Sequence, residues 1–183
     1  MLRRTFFLSS YLLLPLLAVD VPRKAPEFVI HLPDGGQKLL SQYRGKVVAL
    51  EFLFTTCPHC QSSAQTLTRL QNEYGSKGFQ AVGVAFNGMS KMLVPDFVGQ
   101  FRVGFPVGFS EREPVNQFLQ NPPENALHVP QLVFIDRKGM IRAQSLPRND
   151  NSTGVEANMR KLIEQLLAEP AGAAPAKSKR RPS

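Results

Sequence analysis

The chain has no tryptophan and only two cysteines among 183 residues. Two thiols cannot build the multi-bridge framework that small exported domains use when their cores are thin. Three histidines, His31, His59 and His128, are scattered along the sequence. That excludes the usual structural zinc patterns, which need two C-x-x-C pairs or one such pair with two spaced histidines. The N-terminal apolar run, Phe6 to Leu17, is interrupted by Ser9, Ser10 and Pro15. It is shorter than the roughly 20 residues that cross a bilayer. No internal repeat occurs. What remains is enough for one ordinary core: 43% hydrophobic residues, with thirteen phenylalanines supplying aromatic bulk.

Charge is unevenly placed. The net charge is +8, but Arg3 and Arg4 sit at the start and Lys177, Lys179, Arg180 and Arg181 at the end. Removing these six from the 22 basic residues leaves 16 against 14 acidic ones, a body of about +2. The high pI therefore gives no ground for a nucleic-acid partner. Residues 1–18 combine a positive start, a short apolar run and the small Ala18, the pattern of an export signal. An uncleaved N-terminal anchor is the alternative, and a buried helix a third reading. The tail PAGAAPAKSKRRPS lacks apolar periodicity, so residues 169–183 are expected to be disordered. The body, residues 19–168, is expected to form one domain located outside the cytosol, in a bacterial periplasm or on the outer face of the cytoplasmic membrane.

Within that body the pattern alternates. Phe28–His31 and Gln37–Leu39 flank Asp34-Gly35-Gly36 and predict a hairpin. Val47 to Phe54 is nearly continuous apolar sequence, suited to a strand buried on both faces. After Pro58, Ala64, Leu67, Leu70 and Tyr74 recur at helical steps, and Gly75 and Gly78 end the helix. Phe79 to Phe86 reads as a second buried strand. MSKMLVPDFVGQFRV predicts a helix broken or started at Pro95, FPVGFS a short strand, and EPVNQFLQN a short helix stopped by Pro122-Pro123. Leu132–Ile135 and Met140–Ala143 form a second hairpin around Asp136-Arg137-Lys138-Gly139. Val155, Met159, Leu162, Ile163, Leu166 and Leu167 mark a last amphipathic helix. Strands alternating with helices imply βαβ units and an α/β fold, here with a closing antiparallel pair.

Both cysteines lie in FTTCPHCQSS, as Cys57-Pro58-His59-Cys60. Bridging them would close a tiny loop, which constrains an unfolded chain very little. Disulfide exchange, by contrast, needs an attacking thiolate and a second thiol to resolve the mixed disulfide. A C-x-x-C between a buried strand and an amphipathic helix supplies both. The first sulfur meets the unpaired amides at the helix start, which favour its thiolate. Pro58 fits the first turn, where its missing N–H costs nothing, and His59 adds a titratable group that tunes the thiolate. Cys57 is thus expected to be the exposed nucleophile and Cys60 the buried resolving thiol. Gln61 follows Cys60, so the C-x-x-C-H attachment of c-type haem is absent. A copper-carrying role through Cys57, Cys60 and His128 stays open.

The stretch APEFVIHLPDGGQKLLSQYRGKVVALEFLFTTCPHC, with HVPQLVFIDRKGMI further on, resembles the thioredoxin superfamily. It is most similar to the exported TlpA/ResA-like thiol-disulfide oxidoreductases, which overlap with the AhpC/TSA and redoxin groupings. The resemblance implies a thioredoxin-like fold, a central mixed β-sheet flanked by helices with an N-terminal β-hairpin. It implies a cis peptide bond at Val129-Pro130 beside Cys57, where Val129, Pro130 and Thr56 would bind substrate backbone. It also gives Glu51, six residues before Cys57 in an apolar strand, the place of a buried acid that assists proton transfer at Cys60. Burial would suit Glu51 to that work. Its structural alternative is an edge position or a pairing with Lys46 or Arg69. Thr56 stands where the family usually has tryptophan, and Ser63 where ResA-like members have glutamate. The CPHC motif with Val129 before the proline is similar to the oxidase DsbA, which leaves the direction of electron flow open. A peroxidase of the AhpC/TSA type would carry Pro-x-x-x-Thr-x-x-Cys, but Leu50 and Phe54 occupy those positions. The resemblance therefore implies exchange with protein thiols and disulfides, no bound cofactor, a monomer, and a redox partner protein that could sit in the membrane.

Overall fold

A computed structural model describes residues 21–122, 124–145 and 154–170. The expected export segment, residues 1–18, and residues 171–183 of the expected basic tail lie outside the described residues. The described chain folds around an eight-stranded mixed sheet. Its order is β1 (Arg23–Lys24), β8 (Met140–Gln144), β7 (Gln131–Ile135), β4 (Val47–Leu53), β5 (Phe79–Ala85), β6 (Val107–Phe109), β2 (Val29–His31) and β3 (Gln37–Leu39). β4 runs parallel to β5, and β5 to β6, while the remaining neighbours are antiparallel. This is the α/β, thioredoxin-like arrangement the sequence implied.

β4 is buried along its whole length, so its side chains must satisfy two cores by alternation. Val47, Ala49 and Leu53 face a core closed by α1 (Pro58–Tyr74), α2 (Ser90–Phe101) and α4 (Glu156–Ala168). Val48, Leu50 and Phe52 face a second core, closed by α3 (Arg112–Leu119) and the N-terminal segment through Ala25, Phe28, Ile30 and Leu40. The β2–β3 hairpin joins the sheet only where His31 pairs with Phe109. That approach depends on Gly108, since a Cβ there would overlap the His31 carbonyl and the Ile30 side chain.

Two expectations need correction, and one strand was not expected at all. α2 neither breaks nor starts at Pro95; it begins at Ser90 and runs through the proline. Pro95 is exposed, so the amide it lacks is missing on a solvated side where water can serve the orphaned carbonyl. α3 closes before its prolines, at Gln120, whose φ of 55° turns the chain and sends its N–H to the carbonyls of Asn116 and Gln117. β1 carries no pattern the sequence could show, because it is two basic residues long. It is fastened instead by Arg23, which donates to the Phe118 carbonyl at 2.9 Å and to Gln144 Oε1 at 2.8 Å.

Candidate active site

The carboxyl ends of β4 and β5 place the chemistry. Cys57 is the N-cap of α1, with extended backbone (φ −86°, ψ 120°), and Pro58 occupies the first turn. The turn before it closes through Cys57 N–H to the Phe54 carbonyl at 3.1 Å, and the helix opens with Gln61 N–H to the Cys57 carbonyl at 3.0 Å. Cys57 is half-buried and Cys60 fully buried, and both thiols are free. Thr56, Pro58 and His59 are exposed around them. The Val129–Pro130 bond is cis, and the Cys57 thiol reaches the Val129 carbonyl at 3.9 Å. Gln131 holds that loop by donating to the His128 carbonyl at 2.7 Å.

Glu51 is fully buried in the middle of β4. It shares the face of Val47, Ala49 and Leu53, the face on which Cys60 lies. It does not pair with the cations that could have explained it: Lys46 donates to Gln80, and Arg69 reaches Thr66 and Glu156. Among the described residues neither carboxylate oxygen meets a partner at full hydrogen-bonding geometry, and nor does the buried Ser63 hydroxyl that faces it. Burial pushes the Glu51 carboxyl up to about 8, against a smaller downward pull from Ser63. Burial also pushes the Cys60 thiol up strongly; the Phe54 backbone opposes this, while the Cys57 sulfur and the Glu51 charge add to it. The pair is thus asymmetric: one sulfur reaches solvent, and the other is a protonated thiol beside a proton-holding acid.

Asn87, just past β5, is a site residue that the sequence reading missed. Its Oδ1 accepts from Thr55 N–H at 3.0 Å, and its Nδ2 donates to Thr55 Oγ1 at 3.1 Å. Gln61 secures the same turn by donating to the Thr55 carbonyl at 3.1 Å. The available signal was a polar residue at the carboxyl end of a buried parallel strand, where sites in such sheets collect. Other readings lose support. Among the described residues no three His, Cys, Asp or Glu side chains are grouped to hold a metal ion, so Cys57, Cys60 and His128 do not form a ligand set. Leu50 is buried hydrocarbon and the Phe54 ring packs on Phe86 with centroids 4.7 Å apart, so neither of those positions offers the hydroxyl of the peroxidase motif. A groove of about 300 Å³ between Pro26–Val29 and α3 holds none of these residues.

A vicinal thiol pair at a helix start, on the central strand of such a sheet and opposite a cis-proline, is the working end of a thioredoxin-fold thiol-disulfide oxidoreductase. Comparison with known proteins agrees. The Redoxin family profile matches residues 21–163, and the chain belongs to that family. It is 30% identical over 126 residues to the thiol-disulfide oxidoreductase ResA of Geobacillus kaustophilus, covering 68% of each protein. It is 27% identical over 128 residues to the thioredoxin-like protein YneN of Bacillus subtilis, covering 69% of this chain and 71% of that one. Among solved structures it is similar to a candidate thiol:disulfide interchange protein DsbE from Chlorobium tepidum. That match has a TM-score of 0.66 and 26% identity, over 82% of this chain and 99% of the other. The protein is an oxidoreductase of the disulfide-exchanging kind, and protein substrates and redox partners follow from that activity. No helix among the described residues is long and apolar enough to cross a membrane.

Proposed function

We propose that this protein exchanges disulfides with protein substrates outside the cytosol, with Cys57 as nucleophile and Cys60 as resolving thiol. The observation that carries the reading is the asymmetry of the pair: a half-buried Cys57 at the helix N-cap, and a fully buried Cys60 beside the buried Glu51. In the reducing direction, Cys57 thiolate attacks a substrate disulfide, and one substrate sulfur leaves as thiolate. The Cys60 proton passes to the Glu51 carboxylate, and the new Cys60 thiolate attacks the Cys57 sulfur. The second substrate sulfur leaves with a proton, and the two electrons lost by the Cys57–Cys60 pair reside in the substrate dithiol. Oxidation of a substrate runs the same steps backwards. Pro58 and His59 tune the Cys57 thiolate, while Thr56, Val129 and Pro130 line the path of the substrate backbone. The chain acts as a monomer without a bound cofactor, recharged by a redox partner protein in the membrane. The export-signal pattern of the N-terminal segment supports a location in the periplasm or on the outer face of the cytoplasmic membrane.

The test is equilibration of the Cys57–Cys60 pair against glutathione redox buffers, with Cys60→Ala to trap the mixed disulfide. A reversible two-electron couple is expected, together with a trapped adduct at Cys57. Absence of a reversible disulfide would sink the reading. A potential near thioredoxin's roughly −270 mV would make the protein a reductant, and one near DsbA's roughly −120 mV an oxidant.

A further inference from the structure

Arg112 opens α3 and is exposed. Its guanidinium carbon lies 5.6 Å from the centre of the Phe86 ring and 5.8 Å from that of Phe54. Those two residues follow β5 and β4 directly, at the carboxyl ends of both strands, and their rings pack on each other. Among the described residues the Arg112 N–H groups meet neither a carboxylate nor any other hydrogen-bond acceptor.

Helix stability does not account for a cation at this position. The first turn of a helix is the positive end of its dipole, which disfavours one. The acids on either side do not take it up. Glu113 accepts from Gln117 at 2.9 Å, and residues one apart on a helix do not face each other. Glu111 is exposed at the N-cap and forms no ion pair with Arg112.

Direct contacts tie this cation to the reacting sulfur. The Phe54 carbonyl accepts from Cys57 N–H at 3.1 Å. β4 and β7 pair as far as Phe52 with Gln131, and continuing that antiparallel register sets Phe54 opposite Val129. Both side chains pack against the α3-side core. The Cys57 thiol in turn reaches the Val129 carbonyl at 3.9 Å. Phe54 thus links Arg112 both to the Cys57 turn and to the Val129 loop. Other charge near the motif is placed differently. Lys91 and Asp96 sit on α2, which covers the opposite face of the sheet. His59 and His128 are exposed on either side of the sulfur, within the motif and next to Val129.

Resting on the exchange reading, we propose that Arg112 is a specificity-determining residue that grips a carboxylate of the partner protein close to the partner's reactive cysteine. A mixed disulfide at Cys57 holds the partner's chain beside Val129 and brings its flanking side chains over Phe54. The guanidinium fork can then meet a carboxylate with two parallel N–H···O bonds. Contact with two rings holds the guanidinium beforehand, so less side-chain freedom is lost when the carboxylate arrives. The partner class is a protein with Asp or Glu beside the cysteine that reacts.

The experiment compares two synthetic peptides, each with one intramolecular disulfide, flanked on both sides by Glu in one and by Gln in the other. The wild-type protein is expected to favour the Glu peptide by about fivefold in kcat/KM, through KM, as one surface ion pair gives. High salt should erode that preference. Arg112→Gln is expected to bring the two peptides level, and Arg112→Glu to favour a Lys-flanked peptide over the Gln one. Unfolding midpoints show whether each variant is folded. Equal rates for the two peptides in the wild type overturn the proposal. A preference that persists in a folded Arg112→Gln variant overturns it too, and points to His59 or His128 instead. If Arg112→Gln does not fold, loss of the preference in a folded Arg112→Met variant supports the proposal, and its retention overturns it. Failure of the wild-type protein to exchange with hydroxyethyl disulfide, which carries no charge, marks separately the failure of the exchange reading.

Discussion

On the face of the sheet covered by α3, Phe28, Phe52 and Phe118 meet with ring centroids 5.3–5.5 Å apart, two of the three pairs edge to face. On the face covered by α1, α2 and α4, the same strand carries Glu51, whose oxygens meet no partner at full hydrogen-bonding geometry among the described residues, next to the buried Cys60 thiol. Glu51 and Phe52 are consecutive residues. Strand alternation alone sends them into opposite cores, so one strand holds both a member of an aromatic cluster and a buried acid. The α3 face contributes stability that asks nothing of solution conditions. On the exchange mechanism proposed above, the redox face gives up stability to keep an acid near Cys60.

The largest expected effect tests that separation on the aromatic side. Phe52→Ala should destabilise the protein by about 3–5 kcal/mol through cavity formation. The loss should appear as a lower urea midpoint while the Cys57–Cys60 redox equilibrium stays where it was. A shift in that equilibrium in proportion to the lost stability would mean that the two faces are not independent.

Glu51→Gln probes the other side, and its signature is in pH. The folded-state carboxyl is raised to about 8 from an ordinary 4.5. Between those values the folded protein binds a proton that the unfolded chain has released, so stability falls as pH rises through the window and levels off above it. The fall should be on the order of 4 kcal/mol, measured by denaturant unfolding of the reduced protein in a Cys57→Ser background. The Gln variant should lack this slope. Its resolution of the mixed disulfide, measured with Cys57 present, should slow by about 10²-fold or more and lose its pH dependence near 8. A parallel slope in the variant would show that some other group titrates there.

A smaller trim sets the baseline for that curve. Ile141 is fully buried in the α3-side core, and Ile141→Val should cost about 1 kcal/mol. The loss should be equal at pH 5 and pH 9, because no titratable group on that side is altered. A pH-dependent loss would again couple the two faces.

These residues also mark what the sequence could and could not disclose. β4, β5 and the Pro58–Tyr74 helix were legible because long apolar runs and helical periodicity are strong signals, and CPHC between them fixed the site. Glu51 was legible as an anomaly, one acid in an apolar run. Its isolation was not, because the competing Lys46 and Arg69 are ruled out only by where their side chains go. Asn87 was not legible either. Its place at the site arises from the meeting of two turns 32 residues apart in the chain, a long-range contact that no local pattern encodes. β1 escaped because two residues carry no period. Pro95 misled because the rule against proline inside helices is weakest where the helix surface is wet.

The smallest expected effect is the one that ties the acid to its neighbour. Ser63 sits one turn beyond Cys60 on α1, buried, with its hydroxyl facing Glu51 and opposing the rise of its carboxyl pKa. Ser63→Ala removes the polar group that, among the described residues, favours the charged form, so the Glu51 titration should move further up. The pH at which stability levels off should move up with it, as should the rise in the rate of mixed-disulfide resolution. At pH 7 the base form of Glu51 would then be scarcer and resolution modestly slower, whereas at pH 9 the variant and the parent should differ less. A downward shift would mean that Ser63 stabilises the neutral acid, and that the proton on Glu51 is held by this hydroxyl and not by burial.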